Sequence, residues 1–176
     1  MNNAEIADYL ERAGWSVHRE DVDDYYAEYE LPDRCAVIHF GRSNGQKEFV
    51  WSVARKDFSS TWSAVDELPY GPMPLASMRV DRQAADLAAM IQLGFSWVTA
   101  QNPDKMIEEL AEHAPERPGL SVLLYISALA MRGETARLQA YKNQAAKSGH
   151  SGLLFYLEAG HIDRALEIAK QCPSTS

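Results

Sequence analysis

The sequence predicts an α+β fold, in which an antiparallel β-meander packs against helices and is followed by a C-terminal helical-hairpin extension. Three observations lead to this prediction. Residues 15–55 contain strand-length segments separated by turn signals, and segments with helical spacing of apolar residues lie on either side of them. After Gly119 every segment has a helical pattern. At 176 residues and 46% apolar content, the chain can form a packed core.

The N-terminal segment has the pattern of a helix. Asn2 or Asn3 can cap its start, and Gly14 can take the left-handed conformation that ends many helices. The apolar residues that fall on one face are Ile6, Leu10 and Ala13. We therefore expect a short amphipathic helix, followed by "WSVHRE" and the meander.

Alternation of polar and apolar residues predicts a half-buried strand that begins at Tyr25. One face carries Tyr25, Ala27, Tyr29 and Leu31, and the other carries Tyr26, Glu28 and Glu30. The next segment, "CAVIHFG", is apolar on both faces, which suits a central strand. Asn44-Gly45 is a strong hairpin signal, and the strand "KEFVWSVA" returns from it. Three side chains of these strands should be buried: Ile38, Phe49 and Trp51.

A short helix is predicted after the meander, with Asp57 or Ser59 as its cap. Its apolar residues at helical spacing are Phe58, Trp62, Val65 and Leu68. The proline-rich loop "PYGPMP" ends this helix because proline and glycine cannot continue it. The strand "LASMRV" follows the loop.

A longer helix is then expected from Asp81 onward. Its inward residues are Leu87, Met90 and Ile91. Residues 92–101 fit either a strand or a helix. Asn102-Pro103 opens a further helix, which Pro115 and Pro118 close.

The segment "PERPG" is the predicted boundary between an α+β domain, residues 1–117, and a helical extension, residues 118–176. Two pieces of the extension align with an offset of 27 residues, which superimposes Gly133 on Gly160. This offset is shorter than the tetratricopeptide period of about 34 residues. We interpret the extension as a helical hairpin, and a true helical repeat stays open.

Charge is concentrated at the N-terminus. Residues 1–33 hold ten acidic and two basic residues, which accounts for the whole net charge of −8. Such a surface repels phosphate backbones and attracts basic partners, so nucleic-acid binding is not expected. The sequence has neither a run of about 18 apolar residues nor a signal-peptide pattern, which predicts a cytoplasmic protein without a membrane segment. Cys35 and Cys172 are expected to be thiols rather than a disulfide.

The stretch "EDVDDYYAEYEL", residues 20–31, places six carboxylates beside three tyrosines and suggests metal binding, catalysis or recognition. A calcium loop counted from Asp21 fails because tyrosines and a proline occupy its key positions. Glu28 and Glu30 lie about 7 Å apart on one strand face, as some hydrolytic carboxylate pairs do. Acidic residues that alternate along a strand are nevertheless more often part of a solvent-exposed face than of a catalytic pair. We expect no metal and no cofactor.

The sequence contains none of the familiar catalytic motifs: no G-x-S-x-G, H-E-x-x-H, G-x-x-x-x-G-K or C-x-x-C. The five histidines are too far apart for one helix to present two of them as ligands. His39, in the middle of the central strand, is the residue around which an enzymatic site is considered. We expect no catalytic residue.

Five residues form the candidate partner-binding surface: Asp23, Asp24, Tyr26, Glu28 and Glu30. Tyrosines interleaved with carboxylates combine a large contact area with charge steering. The expected partner is another protein with a basic surface, and a homodimer stays open.

The order helix, three-stranded meander, short helix, strand and long helix over residues 3–114 resembles the type III secretion chaperone-like fold. Small acidic effector-binding chaperones and YbjN-type proteins share this fold. The resemblance rests on "IADYLERAGWSV", "YYAEYELPDRCAVIHFG", "KEFVWSVA" and "PLASMRV". The helical extension after residue 118 differs from this fold, because the compact chaperones lack such an extension. The resemblance implies a non-enzymatic bacterial domain that grips another protein.

We therefore expect a non-catalytic cytoplasmic protein-binding factor. It would be either a secretion chaperone or an immunity protein that neutralises a toxin, and the sequence does not separate these roles. The alternatives are a small enzyme with a site between sheet and helices near His39, and a scaffold of helical repeats.

Overall fold

The computed structural model describes residues 2–21, 24–43, 46–68, 71–81, 86–115, 120–148 and 157–172. The strands are β1 (Ser16–Asp21), β2 (Asp24–Glu30), β3 (Cys35–Ser43), β4 (Gln46–Ala54) and β5 (Pro74–Asp81). The helices are α1 (Asn3–Arg12), α2 (Lys56–Asp66), α3 (Leu87–Ala100), α4 (Pro103–Glu112), α5 (Leu120–Met131), α6 (Thr135–Ser148) and α7 (Ala159–Gln171). The predicted α+β class, with a meander and C-terminal helices, is confirmed.

The five strands form one antiparallel sheet in the order β1-β2-β3-β4-β5. The apolar segment that suggests a central strand is β3, which does lie in the middle of the sheet. The sheet contains an additional edge strand, β1, beyond the three-stranded meander that the sequence predicts. Its sequence "SVHRED" has Val17 as its only apolar residue, so hydrophobic alternation is too weak to reveal it. The Asn44-Gly45 turn lies outside the described residues, although Ser43 and Gln46 pair on either side of it.

The sheet register separates two faces. Ala27 lies opposite Ile38, and Ile38 lies opposite Trp51, so these side chains share what we call the first face. Ile38 and Trp51 are fully buried and Phe49 is 1% exposed, which confirms the predicted core of the meander. The second face carries the side chains that alternate with them, among them Tyr26, Glu28, Val37, His39 and Ser52.

Two helices cover the first face. Trp15, three residues after the end of α1, has its ring centroid 5.3 Å from Tyr29 and 5.7 Å from Trp51. In α3, Gly94 lies so close to Trp51 that a Cβ atom built on it would fall 2.0 Å from the indole ring. Close contact between α3 and the sheet therefore depends on this glycine, since a Cβ atom has no room there.

The first helix begins and ends largely as the sequence predicts. The side chain of Asn2 accepts a hydrogen bond from the Glu5 backbone N–H at 2.9 Å, and the Glu5 carboxylate accepts one from the Asn2 N–H at 2.8 Å. This is a reciprocal capping box. Gly14 follows with φ +88°. Ala13 is exposed and ends the helix, so its predicted place on the buried face is wrong.

The predicted caps of the second helix are wrong. Because α2 begins at Lys56, Asp57 lies in its first turn, where its carboxylate accepts from the Phe58 N–H at 2.8 Å. Ser59 instead accepts a hydrogen bond from the Met73 N–H at 2.9 Å. Three of the four predicted apolar residues are buried: Phe58, Trp62 and Val65. Leu68 lies beyond the helix and is 48% exposed.

The predicted start of the next helix is also wrong. Asp81 is the last residue of β5, because pairing with β4 continues as far as the Glu48–Asp81 pair. The helix α3 begins at Leu87 with Asp86 as its N-cap. It continues to Ala100, so residues 92–100, whose sequence fits either a strand or a helix, are helical. The predicted start of α4 at Pro103 is confirmed.

The chain divides into two compact units, each built from two segments. Unit 1 comprises residues 1–56 and 74–103, and unit 2 comprises residues 57–73 and 104–176. The predicted boundary near residue 118 falls at residues 116–119, outside the described residues, and stays a prediction.

In unit 2 the turn between α5 and α6 contains Gly133, with φ +68°. Gly160 lies inside α7, so the glycine turn of the proposed second repeat is not found there. The apolar segment that would precede it, residues 149–156, lies outside the described residues. The helical repeat therefore stays a prediction.

Candidate functional site

The second face of the sheet holds the predicted binding residues that the structure describes. Strand β2 presents Tyr26, Glu28 and Glu30 on this face, with Asp24 at its start. Asp24 and Glu30 are exposed, whereas Tyr26 and Glu28 are half-buried. Asp23 lies outside the described residues. Strand alternation explains this shared orientation.

A row of three stacked rings crosses the second face, which we call the ring row: His18, Tyr26 and His39. The register places His18 opposite Tyr26, and Tyr26 opposite His39. The centroids of His18 and Tyr26 are 4.6 Å apart with planes at 14°, and those of Tyr26 and His39 are 5.6 Å apart at 28°. Such near-parallel rings match the spacing of neighbouring strands, about 4.8 Å. The sequence gives no sign of His18, since only the pairing of β1 with β2 brings it here.

Charged groups share the second face with the ring row. The Glu28 carboxylate lies 3.8 Å from His18 Nε2, too far for a hydrogen bond. Glu30 forms an ion pair with Lys56 at the start of α2, and Glu48 pairs with Arg79 at 3.2 Å. The Glu30 and Lys56 side chains are both more than two-thirds exposed, so this pair stabilises the fold little.

Beneath this polar layer lies a small apolar cluster of Cys35, Val37 and Ala54, against which Tyr26 packs. Burial, followed by the nearby carboxylates of Glu28 and Glu30, raises the pKa of the Cys35 thiol to about 11. The thiolate is the nucleophilic form, so Cys35 is a poor nucleophile at neutral pH. Both cysteines are free thiols, as predicted.

At pH 8 a thiol reagent such as iodoacetamide should modify half-exposed Cys172 and leave Cys35 unmodified, which mass spectrometry of the digested protein can measure. Folding raises the Cys35 pKa from 9.0, so the contribution of the buried neutral thiol to the stability of the fold is fully present below pH 9. This contribution should fall as pH rises toward 11. Equal labelling of both cysteines in the folded protein would contradict the buried position of Cys35.

The second face is suited to recognition. Among the residues that the structure describes, no group of three His, Cys, Asp or Glu side chains could hold a metal ion. The ring row and its carboxylates offer flat stacking surfaces and hydrogen-bond acceptors. Those are the properties of a contact surface for a cationic or planar group.

Unit 2 contains a second polar cluster, which joins the start of α7 to the end of α2. His161 Nδ1 accepts a hydrogen bond from the Glu158 N–H at 3.1 Å, so Nε2 carries the proton that faces Asp66 at 3.2 Å. Arg164 Nε donates to the Val65 carbonyl at 2.8 Å. Both ring nitrogens of His161 are engaged, so the His161–Asp66 pair resembles a structural clamp more than an acid–base dyad.

None of the described helices has the length and apolarity needed to cross a membrane. No curated protein and no solved structure matches the chain. One family model does match, over residues 2–170, and its description is "Family of unknown function (DUF6990)". Since that match spans nearly the whole chain, the protein belongs to this family.

Proposed function

We propose that the protein is a non-catalytic, cytoplasmic protein-binding factor that docks a basic partner on the second face of its sheet. The observation that carries this proposal is the shared orientation of Asp24, Tyr26, Glu28 and Glu30 beside two histidine rings. A flat aromatic row rimmed by carboxylates resembles the composition of protein contact surfaces, in which tyrosine supplies area and charge supplies orientation.

The charge distribution supports a basic partner. The N-terminal residues 1–33 carry a formal charge of −8, and β1 and β2 lie within this range. Such a concentration of one sign accelerates encounters with a basic protein at low ionic strength. A secretion chaperone and an immunity protein both fit this requirement, as does the resemblance to the type III chaperone-like fold. The enzyme near His39 and the helical-repeat scaffold stay predictions.

The proposal is tested by site-specific photo-cross-linking in cells that normally make the protein. Asp24, on the second face, and Glu11, an exposed acid on α1, are each replaced by p-benzoylphenylalanine. We expect position 24 to cross-link one protein with a basic surface, identified by mass spectrometry, and position 11 not to cross-link it. Absence of a cross-link from position 24, or equal cross-linking from both positions, would overturn the proposed docking face.

A second experiment measures the rate at which the protein associates with the partner identified by cross-linking. The double variant Asp24→Asn, Glu28→Gln should associate roughly two- to tenfold more slowly at low salt, because steering charges are lost. The difference should shrink toward 1 M salt, where the screening length falls to about 3 Å. The matched variant Asp8→Asn, Glu11→Gln removes the same charge from α1 and should change the rate less. Equal effects of the two variants would show that only net charge matters.

A further inference from the structure

The ring row ends at an open edge of the sheet. Strand β1 forms one edge of the sheet, and among the described residues β2 is the only strand with which it pairs. Tyr26 stacks on one face of the His18 ring, so the other ring face points away from the sheet. The His18 side chain is 46% exposed. An unpaired edge strand offers backbone donors and acceptors to an added strand.

We propose that an extended segment of the partner protein adds to the sheet at β1 and stacks an arginine side chain on the outer face of His18. This proposal rests on the proposed function and names the chemistry of the partner. A strand added beside β1 would place a side chain opposite His18 at the usual strand spacing of about 4.8 Å. The His18–Tyr26 separation of 4.6 Å already has this spacing, so a planar group there would continue the ring row.

Charge and shape together select arginine. The guanidinium group is planar, always cationic and able to stack on a ring while it donates hydrogen bonds in its own plane. The Glu28 carboxylate, 3.8 Å from His18 Nε2, lies beside the ring as an acceptor for such a donor. A lysine ammonium could satisfy this carboxylate but has no flat surface to stack.

The same pair of strands already holds a guanidinium over a ring. On the other face, Arg19 of β1 lies with its guanidinium carbon 5.7 Å from the centroid of Tyr25 of β2. Residues 19 and 25 are opposite one another in the register, as residues 18 and 26 are. The spacing between these strands therefore accommodates an arginine against an aromatic ring.

Two acetylated, amidated heptapeptides of equal charge test the proposal: Lys-Val-Thr-Arg-Thr-Val-Lys and the same peptide with lysine in the central place. Binding to the full, isotope-labelled chain is followed by NMR, through the ring signals of His18 and Tyr26 and the backbone amides of β1. We expect the arginine peptide to bind about three- to fivefold more tightly, because a guanidinium group can stack on the His18 ring and a lysine ammonium cannot. The ring signals of His18 should move more with the arginine peptide.

Three variants separate stacking from general attraction. His18→Ala should remove the preference for arginine and leave weaker binding of both peptides, because the nearby carboxylates remain. His18→Phe keeps a flat ring and should keep the preference. His113→Ala, at an exposed position directly after α4, should change nothing.

The outcomes are distinguishable. If both peptides bind equally to the wild type and to His18→Ala, the arginine site is overturned while the acidic docking face stands. If neither peptide shifts the β1 amides, strand addition at this edge is overturned, and cross-linking from position 24 decides separately whether a partner uses the second face. Retention of the arginine preference in His18→Ala would also overturn the proposal.

Discussion

Replacing Gly94 with alanine should destabilise the protein by about 3 kcal/mol or more, since overpacking of a tight core contact has effects of this size. A Cβ atom at this position would fall 2.0 Å from the Trp51 ring. Trp51 is fully buried between the sheet and α3, so neither side can move away without disturbing the core. Thermal unfolding followed by circular dichroism measures the effect.

The same change at Gly160 is the matched control. Gly160 also lies in a helix, but among the described residues the atoms nearest to its Cβ atom would be those of the Arg164 guanidinium group, at 3.0 Å, rather than a buried ring. Alanine favours a helix over glycine by up to about 1 kcal/mol, so Gly160→Ala should leave the protein as stable as the wild type or slightly more so. Similar losses at both glycines would mean that helix propensity, and not the contact with Trp51, governs position 94.

Replacing His161 with leucine should lower stability by about 2–4 kcal/mol. The change leaves the Asp66 carboxylate, 13% exposed, without its histidine donor, and it removes the acceptor of the Glu158 N–H. Removing one partner from a largely buried polar pair is costly because the other group stays desolvated. Urea unfolding followed by circular dichroism measures the loss.

An exposed histidine provides the comparison for this variant. His113 is exposed directly after α4, and its Nδ1 lies 3.2 Å from the Glu109 carbonyl of the preceding helix turn. His113→Leu should therefore change stability by no more than about 0.5 kcal/mol. If His161→Leu behaves like His113→Leu, the clamp between α2 and α7 does not contribute to the stability of unit 2.

Local patterns predict much of the fold. The two faces of β2 follow from the alternation of Tyr25 and Ala27 with Tyr26 and Glu28, because successive side chains of a strand point to opposite sides. The start of α4 follows from Pro103, whose fixed φ suits the first turn of a helix. Both features depend on residues that are close together in the sequence, so they can be predicted from a single sequence.

Features that depend on distant pairing are not predictable in this way. The ring row requires the register between β1 and β2, and β1 itself lacks apolar alternation. The clamp joins His161 to Asp66 across 95 residues, and neither residue has a neighbouring motif. From sequence alone, Gly94 is only a residue that lowers the stability of a helix. The need for glycine at this position becomes visible once the position of Trp51 is known.

The division of the chain into interleaved units has a consequence for its synthesis. When the ribosome has added residue 103, every residue of unit 1 exists, and its sheet can form from strands that pair only with their sequence neighbours. Residues 57–73 are then also present, but the rest of unit 2 is not. Phe58, Trp62 and Val65 belong to this early segment and are buried in the folded protein, so these apolar side chains are synthesised before most of the unit to which they belong.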